Sequence, residues 1–290
     1  MKLALGTVQF GLDYGINSSE GKIEKSEVER IIDFARKVNI NILDTAPSYG
    51  NSEKVLGDIN TKDFQIITKT RYFNGIVIGS QEESLLKNDF KQSLKLLDRG
   101  SVYAVLVHNA DDLLKPGADK IFRCLQEFRE NGKLKKIGVS IYNSSQLSKI
   151  LDTFDIDIVQ LPINIFDQQL LINGWLDKLK NNDIEIHARS VFLQGLLLMK
   201  EDFLPSYFLP ILDNLIAFHN LAKELSVTDL ELALGYVMSI NEVDKILVGV
   251  EKVSQLKDLI KVKDMQISPK EYLDFSINDS NFTNPSLWKI

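Results

Sequence analysis

Four side chains suited to proton transfer stand out in the sequence: Asp44, Tyr49, Lys69 and His108. A free tyrosine, with a pKa of about 10, is a poor acid at neutral pH. A lysine ammonium about 4 Å away, at an effective dielectric of about 20, stabilises the phenolate by roughly 4 kcal/mol. At about 1.4 kcal/mol per pH unit, that lowers the phenol by at most about three, and solvent reduces the effect. An aspartate supplies the counter-charge that a partly buried lysine needs to stay protonated. A histidine can donate a hydrogen bond to a carbonyl oxygen and fix its orientation. Singly, each residue has an ordinary explanation: Asp44 as a cap, Tyr49 as a packing tyrosine, Lys69 as a solvated cation, His108 as a satisfied histidine under a loop. Together they ask for a scaffold that brings four distant positions to one place.

Short apolar runs alternate with amphipathic stretches along the chain. Eight runs read as strands: LALGT from Leu3, INIL from Ile40, FQIIT from Phe64, VYAVLVH from Val102, KKIGVS from Lys135, DIVQL from Asp157, IEIHA from Ile184 and KILVGV from Lys245. They are rich in Ile, Val and Leu without strict alternation, as expected of strands covered on both faces. Between them, Val28, Ile31, Ile32 and Ala35 share a helical face behind Ser26, a candidate N-cap. Phe90, Leu94, Leu96 and Leu97 mark another helix, and Ile121, Leu125 and Phe128 a third that ends at Asn131-Gly132. Leu256, Leu259 and Ile260 mark a helix after the last strand. Strand–helix alternation suits an α/β protein, either a doubly wound sheet or a TIM barrel. No G-x-G-x-x-G follows a strand, and eight units over about 250 residues is barrel size, so a (β/α)8 TIM barrel is expected, as a single domain over residues 1–290. In a barrel the C-terminal strand ends face one mouth, which is where the four residues fall.

The formal net charge of −6 argues against non-specific attraction to nucleic acid or anionic lipid. Cys124 is the sole cysteine, so no intrachain disulfide is possible and a reducing compartment fits. Gln9 and Asp13 interrupt the apolar start, and no apolar stretch reaches spanning length, so a cytoplasmic protein is expected. With His108, His187 and His219 the only histidines, and no HxxxH or CxxC spacing, no metal site is expected.

The sequence resembles the aldo-keto reductase superfamily over nearly its whole length. LALGTVQFG is similar to the family's first strand, and LDTAPSYGNSEKVLG to its most recognisable stretch. IITKT, VLVH, IGVS and IVQLPIN resemble its third to sixth strands, and RSVFLQGLL and LVGVEKVSQL its two cofactor-phosphate segments. The resemblance implies a catalytic tetrad of Asp44, Tyr49, Lys69 and His108, with hydride from NAD(P)H and a proton from Tyr49 reducing a carbonyl. It implies Gly6, Thr7 and Val8 beside the nicotinamide, with Asp44, and Ser140 and Gln160 on its carboxamide. Arg189 falls at the ring-stacking position. Ser190 to Leu196, including Phe192, Gln194 and Gly195, are placed on the pyrophosphate. Gly249, Lys252 and Gln255 are placed at the adenosine phosphate.

The sequence departs from the family pattern in places. Ile141 stands where asparagine is common, and Arg189 where an aromatic is common. Glu251 and Lys252 stand where arginine usually meets the 2′-phosphate. NADP(H) is the family's default and is the expected cofactor; Glu251, able to accept from a free ribose hydroxyl, makes NAD(H) the alternative. The chain starts almost at once in its first strand, without the hairpin that often plugs the barrel bottom, and the tail after Asp264 is a candidate cover. At the mouth, Phe10, Tyr14, Tyr72, Phe73 and Trp288 are candidate walls, with Arg71 and Arg189 as anion contacts; Trp175 reads as core. The expected partner is a small-molecule carbonyl substrate, a sugar or other polar carbonyl among the options, with no nucleic acid and no membrane; the oligomeric state is left open. The competing reading is a cofactor-binding, redox-sensing regulatory protein on the same fold. A weaker third is an unrelated TIM-barrel enzyme of sugar metabolism.

Overall fold

The computed structural model describes residues 1–13, 15, 23–262 and 268–289. Eight parallel strands close into a barrel in chain order: β1 (Leu3–Gly6), β2 (Ile42–Asp44), β3 (Gln65–Lys69), β4 (Val102–Val107), β5 (Leu134–Ser140), β6 (Ile158–Pro162), β7 (Glu185–Arg189) and β8 (Lys245–Gly249). All eight expected strands form, so the barrel, not the doubly wound sheet, is the fold. Alternate residues face the barrel axis. Ala4, Ile42, Ile67, Ala104, Leu106 and Ile158 pack together inside it. Their neighbours Leu5, Leu43, Ile66, Val105, Val139 and Val159 join the larger core under the helices. Both faces are apolar, which is why the strands show no polar alternation.

The helices form where the apolar spacing places them. Lys25–Lys37 buries Val28, Ile31, Ile32 and Ala35. Its N-cap is Glu24, and Ser26 lies inside the helix, which begins two residues earlier than the serine suggested. Asp119–Glu130 stops at Asn131, and Gly132 takes a left-handed φ of 66°. Among the described residues, no helix is long and apolar enough to cross a membrane.

The expected cover for the barrel bottom lies elsewhere. Residues 263–267 lie outside the described residues, but from Ser268 the tail runs to the mouth side. Gln168 donates to the Tyr272 carbonyl at 2.7 Å, Ile277 N–H donates to the Phe166 carbonyl at 2.8 Å, and Tyr207 O–H donates to the Asn281 carbonyl at 2.9 Å. Trp288 stacks edge-on against Phe208 at 4.8 Å. These partners belong to the loops after β6 and β7, so the tail straps those loops down.

A polar cluster sits near the N-terminal strand ends instead. Glu185 Oε2 accepts from the Tyr103 hydroxyl at 2.8 Å and from Lys136 Nζ at 2.6 Å, and Oε1 lies 2.8 Å from His187 Nε2. Burial alone would raise the Glu185 carboxyl, but the bonds from His187 and Lys136 outweigh it and hold the group down at about 2.

Candidate active site

Strand register sets the mouth. Gly6 pairs with Asp44 and with Gly249, Asp44 with Ile67, Lys69 with Leu106, Ser140 with Gln160, and Pro162 with Arg189. Asp44 and Lys69 are the last residues of β2 and β3, and His108 follows β4 directly. All three therefore reach the same end of the barrel.

Asp44 and Lys69 are buried, 2% and 3% exposed, and form an ion pair through Asp44 Oδ1. Lys69 Nζ also donates to the Thr45 carbonyl at 3.1 Å. Gln160 Nε2 donates to Asp44 Oδ2 at 2.9 Å, so both carboxylate oxygens are engaged. An ion pair this buried survives only with such extra bonds. Lys69 Nζ lies 4.9 Å from the centre of the Tyr49 ring. The Tyr49 and His108 rings meet edge to face at 5.9 Å. Burial pushes His108 down to about 3, with the charges of Lys69 and Arg189 acting the same way, so its imidazole is neutral at physiological pH. Ser48 Oγ lies 3.4 Å from His108 Nδ1, and Thr70 Oγ1 accepts from the His108 backbone N–H at 3.2 Å.

The loop carrying Tyr49 is held by residues that the sequence reading passed over. Ser52 Oγ donates to the Thr7 carbonyl at 2.9 Å, and Thr45 Oγ1 donates to Ser52 Oγ at 3.1 Å. A Cβ on Gly11 would stand 1.8 Å from the Tyr49 carbonyl oxygen, so only glycine permits this approach. Gly11 ends the LALGTVQFG segment and Ser52 lies within LDTAPSYGNSEKVLG, which is the signal that could have found them.

A cavity of about 640 Å³ opens over these groups. At one end lie Asp44, Tyr49 and His108; the other reaches Val248, Gly249, Glu251 and Gln255. Gly6, Thr7, Val8, Ser140, Gln160, Arg189, Ser190, Phe192, Gln194 and Gly195 line the length between. Lys252 lies outside it, in an adjoining cavity of about 510 Å³ that shares Glu251. The loop after β7 carries a run of left-handed residues: Ser190 (φ 59°), Leu193 (45°), Gln194 (55°) and Gly195 (98°). Three are not glycine, and each such residue costs roughly 1–2 kcal/mol. Strain gathered along one cavity wall marks a surface shaped for a ligand. Gln9 Oε1 is buried in the same cavity with no hydrogen-bond partner among the described residues. The elongated cavity and strained wall fit a dinucleotide, and the lone buried acceptor suits one of its hydroxyls.

Arg189 Nη2 donates to the Ile141 carbonyl at 2.8 Å, and its guanidinium lies 4.2 Å from the centre of the Tyr142 ring. Nearby Asp167, another residue not anticipated, is pushed up to about 7 by burial, against the pull of Arg189. Tyr72 lines the mouth and stacks on His108 at 4.7 Å. Burial raises its hydroxyl to about 12. The other expected wall residues divide differently. Phe10 and Phe73 are buried in the core, because the chain turns at once into the helix Val8–Gly11 after β1 and folds inward after β3. Arg71 pairs through Nε and Nη2 with Asp89, away from the cavity. Trp288 lies in the tail strap, and Trp175 is half-buried against the core. Tyr14 lies outside the described residues. Among the described residues no group of three His, Cys, Asp or Glu is placed to hold a metal ion.

The profile of the aldo/keto reductase family matches residues 2–276. The "Uncharacterized oxidoreductase YqkF" of Bacillus subtilis (strain 168) is 25% identical over 281 residues, 90% of each chain. The "NADH-specific methylglyoxal reductase" of Escherichia coli (strain K12) is 23% identical over 305 residues, covering 92% of this chain and 91% of that one. Among solved structures, the holo form of aldo-keto reductase AKR11C1 from Bacillus halodurans superposes with a TM-score of 0.72 at 19% identity, over 94% of this chain and 90% of that one.

Proposed function

The chain belongs to the aldo/keto reductase family, and on that premise we propose that it reduces an aldehyde or ketone with a nicotinamide dinucleotide, Tyr49 giving the proton. The observation that carries this reading is the order of groups at the cavity floor. Asp44 holds Lys69, and the Lys69 ammonium lies under the Tyr49 ring beside His108.

A nicotinamide dinucleotide, when bound, would supply the hydride. The chain's own groups do the rest. Tyr49 donates its proton to the carbonyl oxygen as negative charge grows there, and Lys69 stabilises the phenolate left behind. Asp44, fixed by Gln160, keeps the ammonium charged and in place. Neutral His108 presents one N–H to the carbonyl; in the tautomer whose Nδ1 accepts from Ser48 Oγ, that group is Nε2–H. Ser140 and Gln160 face the nicotinamide end, and the strained segment 190–195 offers backbone N–H groups to the pyrophosphate. Above His108, Tyr72, Tyr142 and Arg189 form an aromatic wall with one cation, which suits a small carbonyl compound bearing hydroxyl or anionic groups.

The test is turnover of NADH and NADPH, followed by their absorbance, against a panel of aldehydes and keto sugars. Measurable oxidation is expected, falling at least about 10²-fold in Tyr49→Phe, the low end for loss of a general acid. Tight dinucleotide binding without turnover on any carbonyl, unchanged in Tyr49→Phe, would instead support the redox-sensing regulator.

A further inference from the structure

The end of the cavity remote from Tyr49 is closed by the N-terminus of the helix Val253–Lys261, and that N-terminus is already occupied by the chain itself. Glu27, on the helix Lys25–Lys37, accepts from Val253 N–H through Oε1 at 2.8 Å across 226 residues of sequence. Gln255 Oε1 accepts from Glu251 N–H at 2.6 Å and from Lys252 N–H at 3.3 Å. Three successive amides that an incoming phosphate would seek are therefore engaged.

The charges nearby point the same way. Among the described residues, the adjoining cavity is lined by three carboxylates, Glu24, Glu27 and Glu251, against two cations, Arg30 and Lys252. Arg30 is ion-paired with Glu27. The Val253 amide, with Arg30 and Lys252, holds the Glu27 carboxyl below its ordinary range, so it is ionised at neutral pH. On the main-cavity side stands Gln9 Oε1, an acceptor without a hydrogen-bond partner among the described residues, whose amide lies so close to Gly249 that a Cβ there would come within 2.6 Å of it. Acceptors and carboxylates match the hydroxyls of a ribose, which can donate. They do not match a phosphate dianion, which cannot.

A dinucleotide whose nicotinamide lies beside Tyr49 extends its adenosine ribose toward this end. We infer that Glu27, with Glu251, excludes a ribose 2′-phosphate, so that the chain selects NAD(H) over NADP(H). This reverses the cofactor preference expected from the sequence, and it rests on the reading that a dinucleotide occupies the cavity. Discrimination here comes from repulsion and from blocked donors, not from an added attraction to NAD(H).

The test is the dissociation constant of NADH and of NADPH, measured by quenching of intrinsic fluorescence with no carbonyl present. NADPH is expected to bind at least about tenfold more weakly than NADH, and the gap to widen at low ionic strength, where the repulsion is less screened. Glu27→Gln keeps an acceptor for the Val253 amide but removes the charge. It should tighten NADPH several-fold and leave NADH within about twofold. Glu251→Gln, at a partly exposed position, is the second arm, with a smaller shift in the same direction. NADPH binding as tightly as NADH, or a ratio unmoved by both substitutions, overturns the inference while leaving the reductase reading intact. Binding of neither dinucleotide overturns both.

Discussion

The two ends of the barrel hold the same four kinds of side chain. At the mouth are Asp44, Lys69, Tyr49 and His108; near the bottom are Glu185, Lys136, Tyr103 and His187. What differs is who touches whom. At the bottom, the Tyr103 hydroxyl donates directly to the carboxylate, and burial together with Glu185 raises its pKa. At the mouth, Lys69 pairs with Asp44 and its ammonium lies 4.9 Å from the centre of the Tyr49 ring; at the bottom, Lys136 Nζ likewise lies 5.5 Å from the centre of the Tyr103 ring, but there the lysine and the tyrosine hydroxyl bond the same carboxylate oxygen. The first arrangement makes a tyrosine a poorer acid near the barrel bottom; the second sets a tyrosine beside a lysine and a histidine at a cavity. Residue types propose chemistry, but the order in which they are bonded decides it.

The sharpest way to break this contrast is a pair of matched substitutions. Tyr49→Phe should lower kcat by at least about 10²-fold, while Tyr103→Phe should leave it within about twofold; equal losses would erase the distinction. Stability should show the reverse emphasis. Glu185→Ala strands Lys136 and His187 and should cost about 3 kcal/mol in urea unfolding, with kcat per folded molecule unchanged. The acid limb sharpens the same point. Because the folded Glu185 titrates at about 2, below its ordinary 4.5, its contribution is fully present above pH 4.5 and is lost as pH falls toward 2. The difference in stability between the wild-type chain and Glu185→Gln should therefore shrink over that window; a difference independent of pH would remove the cluster from the account.

His108 tests the mouth by pH. With its folded value near 3, neutral imidazole persists through the range in which an ordinary histidine titrates. The profile of kcat/KM should show no inflection near pH 6.5; one that disappears in His108→Asn would mean that the imidazole is far less shielded than its surroundings imply. The smallest effect is expected at the rim. Tyr72→Leu removes the stacking on His108, worth about 1 kcal/mol, and should raise KM by about fivefold with little change in kcat.

Much of the mouth was legible in the sequence because its residues sit at strand ends, and strands buried on both faces announce themselves as apolar runs. Asp44, Lys69 and His108 needed only the rule that those ends converge; Tyr49, in the loop after β2, needed the LDTAPSYG segment as well. The bottom cluster was not legible: Lys136, Glu185 and His187 are ordinary residues within strands, and only the register that sets β5, β6 and β7 side by side makes them neighbours. Glu27 was hidden for a similar reason, since its partner amide is on the far side of the chain. Phe10 and Phe73 misled because an aromatic just past a strand end can turn to either side, and the backbone turn that decides this has no local signal. Arg71 misled because its partner Asp89 lies a helix away.

The strap formed by residues 268–289 ties down the loops that follow β6 and β7, and the second of these holds the strained wall from Ser190 to Gly195. Its hydrogen bonds oppose relaxation of that left-handed backbone, so loosening the strap should loosen the wall before it disturbs the barrel.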